Sequence, residues 1–285
     1  MLFGMPTLPA KEHPEREATL EQARKIVARR FREFGLSFDV TQHPQLLSRL
    51  AELGSHFDDS VDIASITRAV WPKVMTAFGL KQEDLEQAML AALLHDVGKS
   101  GPLEAGPALS EAIRRLFVTP KPPFNPYESG RKKTVSEFVA FAQLKGAETI
   151  KRVLREAGMD PDTEGMIDFW RRHAEWTHDV LSVEPGVDQR VDVYASTHHL
   201  LEGKNPAHAD PASPEPGLSL IELSQAHAIL SAIDKYQAFR ERSGETHEST
   251  INKLKAIVDG CSLPESGKKV YRKMIDILER HFSDS

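Results

Sequence analysis

The sequence predicts an all-α protein. Apolar residues recur at intervals of three and four through most of the chain, which is the spacing of amphipathic helices. Glycines and prolines separate these stretches, and no stretch alternates apolar and polar residues as a half-buried strand does. The 285 residues are 40% hydrophobic, so the chain has enough apolar side chain for a substantial core.

Residues 1–55 are predicted to form a small N-terminal helical region. One helix is predicted from Thr19 to just before Gly35, and a second at residues 44–53. The region is either a separate module or a cap on a main domain at 56–285. The first helix also has a basic face, formed by Arg24, Lys25, Arg29, Arg30 and Arg32. That face is either solvated or a docking surface for an acidic or signalling protein partner.

The remaining helices are predicted from the same spacing and from the positions of glycine and proline. They cover residues 61–78 with a kink or join at Pro72, 85–94 ended by Gly98, 108–117, 134–157 with an interruption or tolerance at Gly146, 166–181, 187–200, 218–242, 250–258 and 268–281. The proline-rich stretches TPKPPFNPYESG and AHADPASPEPG are predicted to be loops, and the first is a candidate lid over a site.

Composition excludes several classes of function. A net charge of −6 and a pI near 6.1 argue against a general nucleic-acid binder, because affinity for phosphate backbones requires an excess of Lys and Arg. An anionic small molecule is compatible, since bound metal ions can dominate the local field. The single cysteine, Cys261, allows no internal disulfide. Without an export signal or an apolar run of roughly 18 residues, we expect a cytoplasmic protein that does not bind membranes.

The stretch AALLHDVGKSG, residues 91–101, contains the strongest chemical signal. A helix with one face in the core is predicted to deliver His95 and Asp96 side by side near its end. An imidazole and a carboxylate in that position can converge on a metal. Lys99 adds a mobile positive charge one turn from Asp96, suited to an anionic substrate. Without partners, such a pair is more typical of an exposed helix end.

Four further residues are possible partners of this pair. His173 lies in an apolar helix, and His198 and His199 end another helix with an apolar face. Asp234 lies in a strongly apolar run, where an unpaired carboxylate is costly. Each of them alone has an ordinary explanation, such as a satisfied core histidine. Because they lie on separate helices, they can point into one bundle together with the His-Asp pair.

In this order the residues resemble the HD superfamily of metal-dependent phosphohydrolases, and within it most resemble the HD-GYP phosphodiesterases. The matching elements are LLHDVGK at 93–99, His173, THH at 197–199 and DKYQAF at 234–239, within a resemblance over roughly residues 60–280. The resemblance implies an HD-domain helical bundle with a centre of two or three divalent metal ions, Fe or Mn. The implied ligands are His95, Asp96, His173, His198, His199 and Asp234, with Asp96 bridging.

The resemblance also implies a reaction. The protein is expected to be a phosphodiesterase acting on a cyclic dinucleotide like cyclic di-GMP, or on a related nucleotide, through a metal-bridging hydroxide. Asp96 and Lys99 are the implied catalytic residues, and Lys99 would contact the scissile phosphate. Arg240 and Arg242, just past Asp234, either grip the outer phosphates or a guanine, or are ordinary surface arginines.

Two positions depart from the pattern of the family. Members usually have a histidine ligand on the helix before the HD motif, at the position of Ile63. Asp59 is the expected replacement, and His56 is the alternative. The segment after His198 and His199 is shortened to LLEGKNP and lacks the tyrosine of the family. A degenerate HD domain that acts as a nucleotide- or metal-binding sensor or adaptor therefore stays open, as does a di-iron oxygenase of the HD fold. Lys99 favours phosphate chemistry over oxygenation.

Overall fold

The computed structural model describes residues 14–118, 120–128, 130–199, 220–241, 243–261 and 263–283, with side chains at all of these except 14–16, 128 and 220–227. These residues form twelve α-helices, two short 3-10 helices and one hairpin of two-residue strands. The all-α prediction is confirmed. Among the described helices, none is both long enough and apolar enough to cross a bilayer.

The α-helices, in chain order, are α1 (Pro14–Phe34), α2 (Pro44–Glu52), α3 (Ser55–Phe78), α4 (Gln82–Leu94), α5 (Pro107–Arg115), α6 (Val135–Phe141), α7 (Ala147–Glu156), α8 (Met166–Leu181), α9 (Gln189–Ser196), α10 (Leu220–Glu241), α11 (His247–Gly260) and α12 (Glu265–Phe282). The 3-10 helices are Val40–Gln42 and Val97–Ser100. The antiparallel strands β1 (Tyr127–Glu128) and β2 (Arg131–Lys132) form the hairpin, which the sequence pattern did not predict.

One continuous core joins the N-terminal helices to the main bundle. Val27 and Phe31 of α1 and Leu46 and Leu50 of α2 are buried in the same cluster as the inner faces of α3 and α4. That cluster continues through the end of α8 and through α9, α10, α11 and α12. Residues 14–54 therefore pack as a cap on the bundle.

The basic face of α1 lies beside acidic residues of the same helix. Arg24 and Lys25 lie 3.7 and 3.8 Å from Glu21 carboxylate oxygens. Arg29 and Arg30 lie 3.5 and 3.0 Å from oxygens of Glu33. These exposed ion pairs neutralise part of the face, and the acidic protein partner stays a prediction.

A second, smaller core lies within the long connector between Asp96 and His173. It is built by α5, α6, α7 and the first half of α8, with Phe138 and Phe169 fully buried. The Thr134 hydroxyl and the Glu137 carboxylate cap the start of α6 reciprocally. The connector is therefore a packed helical unit, and its proline-rich part lies against the first half of α8.

Helix α3 is longer and more continuous than predicted. It begins at Ser55, because the turn is already complete at Gly54, whose φ of 59° suits glycine. The helix also passes through Pro72 without ending there. Pro72 removes one backbone hydrogen bond, but the adjacent Trp71 and Val74 are buried in the main core and stabilise the helix on both sides of it.

Several other boundaries differ from the sequence pattern. The stretch predicted to be helical at 134–157, with an interruption or tolerance at Gly146, is interrupted, and Gln143 (φ 50°) and Gly146 (φ 70°) turn the chain between its two helices. Helix α1 begins at Pro14 rather than Thr19, and α11 and α12 begin earlier than predicted. Helix α9 ends at Ser196, so His198 and His199 lie in the turn that follows it.

Candidate metal centre

The HD turn lies in the interior of the molecule. Helix α4 ends at Leu94, His95 caps it, and the chain turns at Asp96 into the 3-10 helix Val97–Ser100. Every residue from 91 to 101 is buried. The prediction of a helix with only one buried face is wrong for the last turns of α4, because α3, α9 and α10 all pack against it.

Gly98 allows a close approach between two elements and does not end a helix as predicted. It lies inside the 3-10 helix, beyond the end of α4 at Leu94. A Cβ atom at Gly98 would lie 2.0 Å from the carbonyl oxygen of His173. The Gly98 N–H donates to Thr177 Oγ1 at 3.1 Å, and that hydroxyl donates to the carbonyl oxygen of His95 at 2.9 Å. Thr177 thus ties the HD turn to α8, the helix that carries His173.

Three histidine rings are held in the same way. In each, Nδ1 donates to the backbone carbonyl three residues earlier, at 2.8 Å for His95 and 2.6 Å for His198, and the same bond holds His173. A carbonyl oxygen only accepts, so Nδ1 carries the hydrogen and Nε2 presents a lone pair. Metal-ligating histidines are commonly fixed by a partner of the other ring nitrogen in this manner.

These Nε2 atoms converge on Asp96. His173 Nε2 lies 3.2 Å from Asp96 Oδ1 and 2.9 Å from His198 Nε2, and His198 Nε2 lies 4.0 Å from the same Oδ1. His95 Nε2 lies 3.5 Å from Asp96 Oδ2. Two nitrogen lone pairs that face each other at 2.9 Å repel unless they share a cation. The imidazole nitrogens and carboxylate oxygens present therefore fit a bound metal ion.

Lys99 is enclosed, and the prediction of a mobile charge is wrong. Its side chain is only 8% exposed, and its Nζ forms an ion pair with Asp96 Oδ2. Nζ also lies 5.7 Å from the centroid of the Phe117 ring. The ammonium group is therefore held at the edge of the ligand cluster, where an anionic oxygen can reach it.

Burial and neighbouring charges favour the ligand forms that a metal requires. Burial lowers the pKa of His173 to about 4, and burial together with the adjacent His199 holds the pKa of His198 well below its usual value. Burial opposes ionisation of Asp96, but His95 and Lys99 outweigh it and hold the pKa of Asp96 well below the usual range. At neutral pH these shifts leave the imidazoles of His173 and His198 neutral and Asp96 ionised, which are the forms that bind a metal.

Two overlapping groups of ligand atoms lie close enough to hold metal ions. The groups are His95 with Asp96 and His198, and His173 with His198 and His199. Within each group the ligand atoms lie within 4.8 Å of one another, and His198 belongs to both. From α10, Asp234 Oδ1 lies 3.9 Å from His95 Nε2. The structure therefore brings together all six residues that the HD resemblance implies as ligands.

Helix α3 contributes to the site differently from the sequence prediction. Ile63 is fully buried in the main core, and the α3 side chain beside the HD histidine is Ser60, with Oγ 3.4 Å from His95 Nδ1. Asp59, the predicted replacement ligand, lies 3.9 Å from His56 Nδ1 and belongs to neither convergent group. His56, the alternative, lines the cavity beside the cluster.

The predicted arginine contacts receive no support from the described residues. Arg240 is exposed and donates to the carbonyl oxygen of Glu245 at 2.7 Å. It is not among the residues that line the cavity beside the cluster. Arg242 lies outside the described residues, as does the segment LLEGKNP.

A cavity of about 340 Å³ opens beside the ligand cluster. Its polar side includes Asp96, Asp234 and the three histidines His173, His198 and His199. Three cationic side chains, Lys99, Arg171 and Lys235, also line it, so the cavity suits an anionic ligand. Its apolar lining is formed by Ala238, Ile167, Trp170 and residues of the connector.

Arg49 of α2 is a residue of this region that the sequence did not indicate. It is half-buried, and its guanidinium donates to Ser100 Oγ at 2.9 Å and to the carbonyl oxygens of Gly101, Pro102 and Leu103 at 3.0, 2.9 and 2.6 Å. These four bonds hold the segment directly after Lys99. No sequence signal identifies such a residue, because the contact depends on how α2 docks against the HD turn.

Comparison with known protein families, curated proteins and solved structures gave no match for this chain. An all-α fold is compatible with many activities and does not select one of them. The geometry of the cluster and the resemblance of its motifs are therefore the two observations that bear on function.

Proposed function

We propose that this protein is an HD-type metal-dependent phosphohydrolase, with phosphodiesterase activity on a cyclic dinucleotide or a related nucleotide. One observation carries the proposal. The Nε2 lone pairs of His173 and His198 face each other beside ionised Asp96, whose second oxygen is paired with Lys99. Imidazole and carboxylate donors together suit Fe and Mn.

Two divalent ions are the number that the ligand groups support. His198 can ligate only one of them, because its Nδ1 hydrogen is donated to a backbone carbonyl, whereas Asp96 has two carboxylate oxygens directed at different histidines, as a bridging ligand requires. A third ion would need Asp59 or His56, and neither belongs to the convergent groups.

In such a site, different residues would bind the metal ions and contact the substrate. Bound ions would lower the pKa of a water molecule and neutralise charge on a phosphoryl group. His95, His173 and His198 are held in position by backbone carbonyls, so the ligand set is preorganised. Lys99 would donate to an oxygen of the scissile phosphate. The enclosed setting strengthens that contact relative to one in water.

The isoleucine at position 63 favours a second candidate, an HD domain that binds metal and nucleotide without turnover. The cluster argues for the enzyme, because so many buried polar groups are costly to maintain without use. A di-iron oxygenase is the third candidate, and the enclosed Lys99 beside Asp96 supports phosphate chemistry over it.

Metal content and hydrolysis measured on the same preparation test the proposal. Protein purified without chelator is expected to hold about two Fe or Mn ions per chain and to hydrolyse bis(p-nitrophenyl) phosphate. His95→Ala and Asp96→Ala should each lose metal and hydrolysis. Both variants should keep the helical circular dichroism signal, since the apolar residues of α4 and the core around it are unchanged.

His281→Ala is the matched control, because His281 lies in the last turn of α12, away from the cavity. It should keep both metal and activity. Metal binding without hydrolysis would favour the sensor, and dioxygen consumption would favour the oxygenase. Less than about one ion per chain would contradict both enzyme candidates.

A further inference from the structure

An apolar wall lines the cavity beside the ligand cluster. It consists of Phe117, Val118, Pro120, Pro123, Phe124 and Trp170. Most of it comes from the connector, which brings aromatic and proline side chains up to a charged centre. Val118 is 40% exposed, so part of this surface faces solvent when the cavity is empty. Apolar surface left open beside a charged site is typical of a ligand-binding surface.

The wall is rigid enough to serve as a fixed binding surface. The indole N–H of Trp170 donates to the carbonyl oxygen of Leu116 at 2.7 Å. The Phe124 ring packs edge-to-face against Phe138 at 5.1 Å between centroids and against Trp170 at 6.2 Å. Through Phe138, the wall is anchored in the second core. Its aromatic surfaces are therefore held in place before a ligand arrives.

The wall begins directly beside the phosphate position of the proposed reaction. The Phe117 ring lies edge-to-face against His173, with centroids 5.5 Å apart, and Lys99 Nζ lies 5.7 Å from the Phe117 centroid. A phosphate on Lys99 would therefore place its attached group against the wall. Aromatic rings make the best partners for such a surface, since paired rings are stabilised beyond the burial of their area alone.

Apart from its charged groups and histidines, which serve the phosphate and the metal ions in the proposed function, the described lining of the cavity has no free side chain that could read the edge of a ring. None of these lining residues is Ser, Thr, Asn, Gln or Tyr. The Trp170 N–H is already used by the Leu116 carbonyl. The cavity volume of about 340 Å³ lies at the small end of ligand pockets, which suits one ring system and disfavours a long alkyl chain.

We infer that the apolar wall is a subsite for one aromatic ring of the phosphoester substrate, and that it holds the ring by stacking without reading its hydrogen-bonding edge. The inference rests on the proposed function, because the phosphate position is taken from it. It deepens that function by specifying a substrate with a nucleobase or similar ring and little selectivity among bases. Stacking on aromatic side chains tolerates every base, since each has a π-face.

The affinities of product-like ligands for the metal-loaded full chain, measured one ligand at a time, test the subsite. The probes are AMP, GMP, CMP, UMP and ribose 5-phosphate, measured by calorimetry. The four nucleotides are expected to bind within about fivefold of one another and at least tenfold more tightly than ribose 5-phosphate. Phe124→Ala should weaken the nucleotides about tenfold and leave ribose 5-phosphate unchanged.

Phe141→Ala is the matched control for that substitution. Phe141 packs on Phe124 at 5.3 Å between centroids, but it is 40% exposed and does not line the cavity. It should not change nucleotide affinity. Phe124→Leu, which keeps apolar volume but removes the ring, covers the case in which Phe124→Ala fails to fold, and it should weaken the nucleotides less than tenfold.

The outcomes separate the subsite from the proposed function. Ribose 5-phosphate binding within about tenfold of the nucleotides, or a preference above about fivefold for one base, would overturn the subsite. The same holds if no nucleotide binds, or if neither Phe124 variant changes nucleotide affinity. If the expected binding pattern appears without any hydrolysis of bis(p-nitrophenyl) phosphate, the subsite stands and the hydrolase proposal fails. If hydrolysis is observed but ligand affinity does not depend on the aromatic ring, the hydrolase proposal stands and the subsite fails.

Discussion

The Nε2 atoms of His173 and His198 lie 2.9 Å apart, and each ring donates its Nδ1 hydrogen to a backbone carbonyl. While both rings are neutral, neither Nε2 atom can donate to the other. The contact is therefore repulsive in the free protein and favourable only when a cation shares the lone pairs. Metal binding should consequently be coupled to the stability of the fold.

The first prediction separates the two ligand groups. Asp96→Ala removes the side chain whose two oxygens are directed at different histidines, whereas His199→Ala removes a ligand only from the group that contains His173. We expect Asp96→Ala to lose both ions and His199→Ala to keep about one, as measured by elemental analysis. Mn at a hundredfold its Kd should stabilise the wild type by about 2.7 kcal/mol in thermal unfolding, and the gain should vanish in Asp96→Ala. Equal metal content in the two variants would contradict the bridging role of Asp96.

The second prediction concerns the enclosed ammonium group. Lys99→Met keeps the length of the side chain but removes the charge that would contact the scissile phosphate. Hydrolysis should fall by about 10²–10³-fold in kcat while metal content is retained, since Lys99 contacts Asp96 without being a ligand itself. Lys255→Met, in α11, removes an ion pair with Glu279 at 2.7 Å. It should leave kcat unchanged, because Lys255 does not line the cavity. A parallel loss of metal in Lys99→Met would show that Lys99 mainly holds Asp96.

The third prediction tests the close approach of the HD turn to α8. Gly98→Ala places a methyl group 2.0 Å from the backbone oxygen of His173, where no flexible side chain can move away. The free energy of unfolding should fall by at least about 3 kcal/mol, with loss of metal binding. Gly260→Ala is the control, because a Cβ atom there meets nothing within 4 Å and alanine favours the end of α11. It should be neutral or slightly stabilising, so the two substitutions are expected to differ in sign.

These relationships also explain which parts of the site the sequence could predict. His95, Asp96, His173 and His198 were identifiable because each is a polar residue set in an apolar stretch, where burial demands a partner. The helices were identifiable because their apolar spacing is local. Continuous burial around the end of α4 was not, since it depends on which helices surround it.

The absence of Arg240 from the described lining of the cavity has a geometric reason. Proximity in sequence suggested that it accompanies Asp234, but residues on a helix advance by about 100° each, so six positions place them on different faces. Ala238, four positions after Asp234, does line the cavity. The sequence indicated the apolar wall only as a candidate lid, and it did not indicate Arg49 at all, because their contacts join segments that no periodic pattern relates.

The fourth prediction is that stability depends on pH through Glu137, at the start of α6 within the connector. Glu137 accepts hydrogen bonds from Arg131 and from the Thr134 N–H, and these bonds lower its pKa to about 2 from an unfolded value of 4.5. Its contribution to stability is therefore complete above about pH 4.5 and is lost as the pH falls towards 2. Wild type and Glu137→Gln should differ most in unfolding midpoint near pH 6 and converge near pH 2. A constant difference across that range would contradict the assignment, and a carboxyl NMR titration of Glu137 gives an independent check.

The fifth prediction concerns Arg49 as a positioning residue. Its fork of N–H groups meets four acceptors in residues 100–103, and a lysine cannot reproduce that geometry because it donates from a single point. Both Arg49→Lys and Arg49→Met should lower the free energy of unfolding, Arg49→Met by about 3 kcal/mol, since buried acceptors lose a charged donor. Arg24→Met is the control, because Arg24 is also of intermediate burial but gives one hydrogen bond, to Ser48. It should change stability by less than about 1 kcal/mol.

Activity distinguishes positioning by Arg49 from a purely structural role. The segment that it holds follows Lys99 directly, so its release should let the ammonium group drift from the phosphate position while the histidine cluster stays intact. Hydrolysis by Arg49→Lys, measured well below its unfolding temperature, should then show a reduced kcat with metal content and KM nearly unchanged. Mere destabilisation would leave kcat per folded molecule at the wild-type value. That result would limit the role of α2 to capping the bundle, whereas a selective loss of kcat would make the N-terminal region part of the catalytic architecture.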